Sequence, residues 1–172
     1  DIEVLKYLEI ISRNMDLAQE KEALAELIKN NSVFAIINRE TELLIGNVGF
    51  HNVDHLHQIA EVGIFIGNKN FWNRGFGTEA MILALDYGFN ILNLHNIMLR
   101  TFSYNNRAIS CYKKIGFQES GRLREAYQIA GNRYDIVLMD LLATEYESAI
   151  IEKIVSSDEH EKGYGARIEI VD

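Results

Sequence analysis

Three features are scarce in this sequence of 172 residues: it has no proline, a single cysteine and no long apolar run. One cysteine cannot form an internal disulfide, so Cys111 excludes a disulfide framework and favours a protein of the reducing cytoplasm. No segment reaches the roughly 18 successive apolar residues of a membrane-spanning helix, and the acidic start is unlike a secretory signal. We therefore expect a cytoplasmic protein that has no membrane partner. The absence of proline has no functional interpretation.

Basic residues are also in the minority, with 17 lysines and arginines against 25 aspartates and glutamates. The net charge of −8 argues against non-specific nucleic-acid binding and mildly favours cationic partners. Because many soluble enzymes carry such a charge, it does not identify a partner by itself. The length is most simply that of one domain with a sizeable core.

Apolar periodicity predicts a chain that alternates between strands and helices. Strands are predicted at 32–38, 43–51, 59–67, 96–102, 122–130, 133–142 and 167–171, and helices at 16–30, 78–93, 105–116 and 145–155. The first two strands form a hairpin, and Gly131-Asn132 suits the turn of another. The expected fold is α/β (α+β), a mixed, mostly antiparallel sheet with a central strand–helix–strand crossover and flanking helices.

Residues 70–80, NFWNRGFGTEA, join a predicted strand to a helix through two glycines. In such a turn, unpaired backbone N–H groups and the positive end of the helix dipole can bind an anion. Arg74 adds a charged donor beside Gly75. The alternative is a glycine-rich connection that binds no ligand.

Two phosphate-binding patterns fit this turn poorly. A Walker loop ends in Gly-Lys-Ser/Thr, whereas Thr78 follows Gly77 with no lysine between them. A dinucleotide-binding fold needs an acidic residue about 20 positions further on, and none lies between Asp86 and Glu119. The turn also follows three predicted strands rather than the first one.

A third pattern fits in both order and spacing. Residues 72–80 resemble the acyl-CoA-binding motif of the GNAT N-acetyltransferase superfamily, Arg/Gln-x-x-Gly-x-Gly/Ala between a strand and a helix. Residues 105–117, NNRAISCYKKIGF, resemble that family's Asn-x-x-Ala-x-x-x-Tyr-x-Lys-x-Gly-Phe helix. The resemblance covers about residues 3–142 and is closest to the branch of spermidine/spermine and ribosomal-protein N-terminal acetyltransferases. Trp72 departs from the motif, because Arg or Gln often stands there, so one side-chain donor to phosphate is lost.

The resemblance implies acetyl-CoA as cosubstrate and no metal. It also implies that the backbone at residues 64–66 pairs with pantetheine amides where the two central strands separate. Asn105 either hydrogen-bonds the pantetheine or Tyr112, or caps its helix, or does both. The residues implied for cofactor binding are Ile64, Phe65, Ile66, Trp72, Asn73, Arg74, Gly75, Phe76, Gly77, Thr78, Asn105, Ala108 and Tyr112.

Transfer of an acetyl group from a thioester to an amine implies an acid and a base. The amine must lose a proton before it attacks, and the departing thiolate needs one. The family places Tyr112 at the sulfur as the acid. Glu61 is the candidate base, directly or through a water, in a neighbourhood expected to be apolar; the alternative is a carboxylate that only holds the amine by charge.

The implied acceptor is a small amine or a peptide N-terminus. The acidic charge favours a polyamine, a peptide N-terminus is the main alternative, and amino-sugar antibiotics stay open. A runner-up function is a non-catalytic acyl-CoA-binding regulatory module, which the presence of both Glu61 and Tyr112 disfavours. The oligomeric state, including a homo-oligomer, stays open.

Other reactive side chains have simpler interpretations. Cys111 suggests an acyl-enzyme, but it points about 100° away from Tyr112 on a helix and has no nearby histidine, so buried packing is favoured. His55 and His57, with His51 nearby, have a metal-ligand spacing without a clear third ligand. They are expected to be loop histidines, or to shape the acceptor site.

Both ends of the chain depart from the family pattern. The resemblance begins within the family's first helix, so we expect the opening strand to be missing from a domain at 1–142. Residues 143–172 form an extension that the pattern does not require. Residues 166–171, ARIEIV, pair at the vacant sheet edge in this chain or a neighbour, or belong to an appended tail, which is the simpler interpretation.

Overall fold

The structure, a computed structural model, describes residues 2–8, 33–148 and 166–170. The helix predicted at 16–30 and most of the one predicted at 145–155 lie outside these residues. The strands are β1 (Val33–Asn38), β2 (Leu43–Asp54), β3 (Ile59–Ile66), β4 (Asn96–Phe102), β5 (Gln118–Ile129), β6 (Asn132–Leu142) and β7 (Ala166–Ile170). The helices are α1 (Ile2–Leu5), α2 (Phe76–Asn90) and α3 (Asn106–Ile115), with 3-10 turns at Lys69–Phe71 and Ala143–Glu145.

The described strands form one mixed sheet in the order β5-β6-β4-β3-β2-β1-β7. Neighbouring strands are antiparallel except β3 and β4, which are parallel. Helix α2 connects these two strands, because parallel neighbours need a crossover. The predicted mixed sheet with a central crossover is therefore confirmed, and β3 lies at its centre.

Helix α2 packs its apolar face against one side of the sheet. Its buried residues include Ala80, Met81, Ala84 and Leu85, and the sheet contributes Val48, Phe50, Ala60, Val62, Ile97, Leu99, Met139 and Leu141. Gly88 permits this close approach, since a Cβ there would lie 2.7 Å from Cζ of Phe50. None of the helices in the described part of the chain is long and apolar enough to cross a membrane.

The ends of the two main helices follow from local sequence signals. The side chain of Asn105 accepts a hydrogen bond from the Ala108 amide, so the predicted cap is confirmed, and Gly116 ends α3 with a φ of 117°. Helix α2 begins at Phe76, two residues earlier than predicted. Gly75 caps it with a φ of 88° and no side-chain bond, so the loop itself is the cap and Thr78 lies inside the first turn.

Both predicted hairpins are present, but the turn of the second is one residue earlier than expected. Ile129 pairs with Asn132, so the two turn residues are Ala130 and Gly131. Their φ values of 49° and 79° are those of a type I′ turn, in which both residues are left-handed. The prediction of Gly131-Asn132 as the turn pair is wrong.

Strand β7 forms the edge of the sheet in this same chain. It is antiparallel to β1, with Phe34 opposite Ile170 and Asn38 opposite Ala166. The interpretation of residues 166–170 as an appended tail outside the sheet is therefore wrong. Pairing at the sheet edge, the alternative, is what the structure contains.

Candidate active site

A cleft opens in the sheet where β3 and β4 stop pairing. The two strands pair only from Ile59 with Asn96 to Glu61 with Met98, although both continue for several residues. Beyond this point β3 pairs with β2 alone and β4 with β6 alone. One side of β3, from Val62 to Ile66, therefore lies open without a strand neighbour, as the family resemblance implies for the two central strands.

The backbone of β3 presents polar groups to this cleft. The N–H of Gly67 donates to Ile45 of β2 at 2.9 Å, so the carbonyl of Ile66 in the same trans peptide points towards the β4 side. Because backbone direction alternates along a strand, the N–H and C=O of Ile64 also face the cleft, whereas those of Phe65 face β2. An extended amide chain in the cleft can pair with Ile64 as with a neighbouring strand.

The side chain of Trp72 already forms a hydrogen bond with one of these backbone groups. Its indole Nε1–H donates to the carbonyl of Ile66 at 2.7 Å. The side chain that stands in place of the motif's Arg or Gln therefore reaches back to the end of β3 and binds the backbone there. This carbonyl is consequently satisfied within the protein.

The glycine turn lies at the mouth of the cleft. Asn73 and Gly75 have positive φ values of 58° and 88° and are exposed, together with Arg74 between them. Gly77 lies beside the end of β3, since a Cβ there would be 3.8 Å from the Ile66 side chain. The first N–H groups of α2 lack intrahelical acceptors and the helix dipole is positive here, which suits an anion.

Helix α3 faces the same mouth. The Thr78 hydroxyl lies 3.1 Å from Sγ of Cys111, which joins the first turn of α2 to α3. Cys111 is half-buried rather than fully buried and has this hydroxyl as its partner. Asn105 is buried and caps α3 through the Ala108 amide at 3.2 Å.

Tyr112 packs against the core from α3, with its ring 5.9 Å from that of Phe117. Its phenol has no hydrogen-bond partner in the described part of the chain. Burial raises the pKa of Tyr112 above its usual value of 10, so the phenol keeps its proton at neutral pH. Such a group can donate a proton to a departing thiolate.

Glu61 occupies the end of the paired segment, on the sheet face opposite α2. Its neighbours Ala60 and Val62 are buried under α2, so the alternation of the strand turns Glu61 to the other face. Nε of Arg100 donates to its carboxylate at 2.7 Å. The expectation of an apolar neighbourhood is therefore wrong, because a guanidinium pairs with this carboxylate.

The histidines separate into two groups. His51 lies directly across from Glu61 on β2. Burial lowers the pKa of this half-buried imidazole, although the negative charge of Glu61 acts in the opposite direction. His57 is exposed and bonds to Asp54 at 3.0 Å. Across residues 2–8, 33–148 and 166–170 there is no cluster of three side chains suited to a metal.

Sequence analysis does not identify Arg100 as a partner of Glu61. The two residues are separated by 39 positions, and the alternation in β4 marks Arg100 only as one of the outward-facing residues. A salt bridge of this kind depends on which strands become neighbours. The order of the strands was needed to find it.

A family profile described as the GNAT acetyltransferase domain matches residues 1–118. The match covers more than half of the chain, so the protein belongs to the GNAT family of acetyltransferases and is an acyltransferase. This agrees with the two sequence motifs and with the sheet that opens between its parallel strands.

Individual relatives carry more specific names. An uncharacterized N-acetyltransferase, p20 of Bacillus licheniformis, is 34% identical over 152 residues, 85% of this chain and 84% of that protein. Spermidine N(1)-acetyltransferase of Vibrio cholerae is 37% identical over 103 residues, 60% of this chain and 59% of the relative. The aligned region thus spans little more than half of that enzyme.

The fold is similar to that of a solved spermidine N-acetyltransferase. The crystal structure of the Vibrio cholerae enzyme with CoA and spermine superposes with a TM-score of 0.75 at 29% identity, over 84% of this chain and 85% of that one.

Proposed function

We propose that the protein transfers an acetyl group from acetyl-CoA to a primary amine, preferentially a polyamine, by direct attack in a ternary complex. The observation that carries the proposal is the cleft between β3 and β4, with Glu61 at its closed end and the glycine turn at its mouth. A thioester with a phosphate tail suits this cleft, because its phosphates can lie at the glycine turn while its acyl group lies towards Glu61. Relatives that are named spermidine acetyltransferases support the choice of acceptor.

The chain's own residues account for both protons in the reaction. The ammonium loses one proton, through Glu61 or a water beside it, and this proton goes to solvent. The amine then attacks the thioester carbonyl, the C–N bond forms and the C–S bond breaks. Tyr112 protonates the departing sulfur and recovers its proton from the attacking nitrogen, so the products are the amide, the CoA thiol and one proton.

Charge favours a cationic acceptor at this site. The chain has a net charge of −8, and Glu61 lies on the sheet face away from α2, where an amine can approach the cleft. A single half-buried cysteine agrees with a cytoplasmic location, which is part of the proposal.

A second candidate acceptor is the N-terminus of a ribosomal protein. A putative ribosomal N-acetyltransferase, YdaF of Bacillus subtilis, is 31% identical over 104 residues, 60% of this chain and 56% of that protein. The same reaction chemistry serves both acceptors, so only the acceptor distinguishes the two proposals.

The test is release of CoA thiol from acetyl-CoA with a panel of spermidine, spermine, ribosomal N-terminal peptides and aminoglycosides. We expect the highest kcat/KM with a polyamine, and intersecting initial-rate lines as for a ternary complex. Parallel lines that disappear in Cys111→Ala would indicate an acyl-enzyme instead. Tight CoA binding without turnover of any amine would favour a non-catalytic module.

Tyr112→Phe provides the sharper test of the acid. Its hydroxyl has no bond to lose, so folding should be unchanged while kcat falls by about 10² or more. Tyr87→Phe is the matched control, because that ring packs against Phe34 of β1, away from the cleft. Unchanged kcat in Tyr112→Phe would contradict the assigned role.

A further inference from the structure

Two arginines stand at the mouth of the cleft without a carboxylate partner among the described residues. The guanidinium of Arg107 lies 4.0 Å from the ring centre of Trp72 and 5.5 Å from that of Tyr7. Arg74 lies 5.5 Å from the rings of both Phe71 and Phe76. In a chain with 25 acidic side chains, two arginines that rest on aromatic rings rather than on carboxylates indicate a site for an external anion.

Three contacts place Arg107 over the glycine turn. Arg107 and Cys111 are four residues apart on α3 and therefore share one helix face. Cys111 contacts Thr78 in the first turn of α2. Trp72, on which Arg107 stacks, precedes Gly75 by three residues and is fixed to the end of β3 by its bond to Ile66.

Among the described residues, none accepts a hydrogen bond from the guanidinium of Arg107, whose Cζ lies over the ring of Trp72. A guanidinium has five N–H donors in its plane, and an aromatic ring beneath that plane occupies none of them. Planar donors of this kind bind phosphate oxygens in pairs. Arg107 also lies in the first turn of α3, whose N-terminus adds positive potential.

Because Trp72 replaces a residue that donates to phosphate in the motif, another side chain has to supply a donor at the glycine turn. It stands where the resembling motif often supplies Arg or Gln, and its own N–H is committed to Ile66. The indole ring instead contacts a guanidinium that comes from helix α3.

We propose that Arg107 binds a phosphate group of CoA and thereby replaces the donor that is lost at Trp72. The inference rests on the proposed function, since it requires CoA as the ligand. The phosphate belongs either to the pyrophosphate or to the 3′-phosphate of CoA. Both have the same chemistry, and the ligands of the test distinguish them.

The test measures the dissociation constants of CoA and 3′-dephospho-CoA, and the KM of S-acetylpantetheine, for wild type and Arg107→Gln. Since a hydrogen bond to a charged group is worth about 1.5–3 kcal/mol, we expect CoA binding to weaken by about tenfold to a hundredfold. S-acetylpantetheine, which has no pyrophosphate or 3′-phosphate, should keep its KM. A loss for both CoA forms assigns the pyrophosphate, and a loss for CoA alone assigns the 3′-phosphate.

Two variants control for indirect effects. Arg124→Gln removes an exposed arginine on β5 and should bind CoA like the wild type. Arg107→Lys keeps the charge without the planar donors and should fall between wild type and Arg107→Gln. Arg107 is exposed, so these substitutions should leave the Tm nearly unchanged.

The outcomes separate this inference from the proposed function. Wild type that binds neither CoA nor 3′-dephospho-CoA would overturn both. Wild type that binds CoA while Arg107→Gln binds it equally well would overturn only the role of Arg107. An equal loss for S-acetylpantetheine would also overturn it, because Arg107 would then act on the shape of the cleft rather than on phosphate.

Discussion

The carboxylate of Glu61 and the guanidinium of Arg100 meet at 2.7 Å across the point where β3 and β4 separate. Glu61 is the last residue of β3 that pairs with β4, and Arg100 lies two residues beyond its partner Met98. The salt bridge therefore spans the closed end of the cleft. It holds the carboxylate on the sheet face opposite α2.

Removal of this carboxylate should affect turnover more than folding. We expect Glu61→Gln to lower kcat/KM for the best amine by about 10², because the amide neither accepts the proton nor attracts the ammonium. A partly exposed ion pair contributes at most about 1 kcal/mol, so the Tm should change little. Glu119→Gln, which removes a carboxylate paired with Arg122 on the surface, is the control. Equal activity of wild type and Glu61→Gln would contradict a role in proton transfer or amine binding.

A buried carboxyl on α2 should make stability depend on pH. Asp86 is only 6% exposed, and its Oδ1 accepts a bond from Ser148 while Oδ2 has no partner among the described residues. Burial raises the pKa of Asp86, so the folded state binds its proton more tightly than the unfolded chain does. The stabilisation from this carboxyl is present below its unfolded pKa of about 3.8 and is lost as pH rises through the folded value.

Asp86→Asn cannot ionise and keeps the shape of the side chain. We expect it to raise the free energy of unfolding at pH 7, with an advantage that shrinks towards pH 4, as measured by urea titration. Asp54→Asn should behave in the opposite way, because bonds from His57 lower the pKa of that exposed carboxylate. An advantage of Asp86→Asn that does not change with pH would rule out ionisation as its cause.

The edge strand should protect the sheet from association. Strand β1 contributes the buried Phe34 and Ile36 and pairs with β7 on its outer side. We expect removal of residues 166–172 to uncover the N–H and C=O groups of β1, lower the Tm and cause aggregation at micromolar concentrations. Size-exclusion chromatography and thermal unfolding measure both effects.

A single substitution tests the same pairing without shortening the chain. Glu169 lies opposite Ala35, whose N–H and C=O face β7 because those of Asn38 face β2, so Glu169→Pro cannot donate to the strand ladder. A loss of about 2 kcal/mol corresponds to a Tm lower by roughly 4–8 °C in a chain of this size. Glu169→Thr, which keeps the N–H and has a side chain suited to a strand, is the control. A truncated chain with the same Tm and the same elution volume as the intact one would argue against the pairing.

Local sequence determined where the helices that line the cleft begin and end, and it determined the glycine turn at the mouth of the cleft. Asn105 and Gly116 mark the ends of α3 by their own hydrogen bonding and φ, and Gly75 opens α2. Such signals act over a few residues, so they are readable without the fold. The two motifs likewise indicated the family, because each is a short run of residues in a fixed local geometry.

Only the tertiary structure decided which distant groups meet. Glu61 with Arg100, Trp72 with Arg107 and β1 with β7 join residues from separate strands, helices and loops. Their contacts depend on the order and register of the sheet, and a shift of one residue turns a side chain to the other face. Periodicity shows that a residue faces outward, but only the packed sheet determines what lies opposite it.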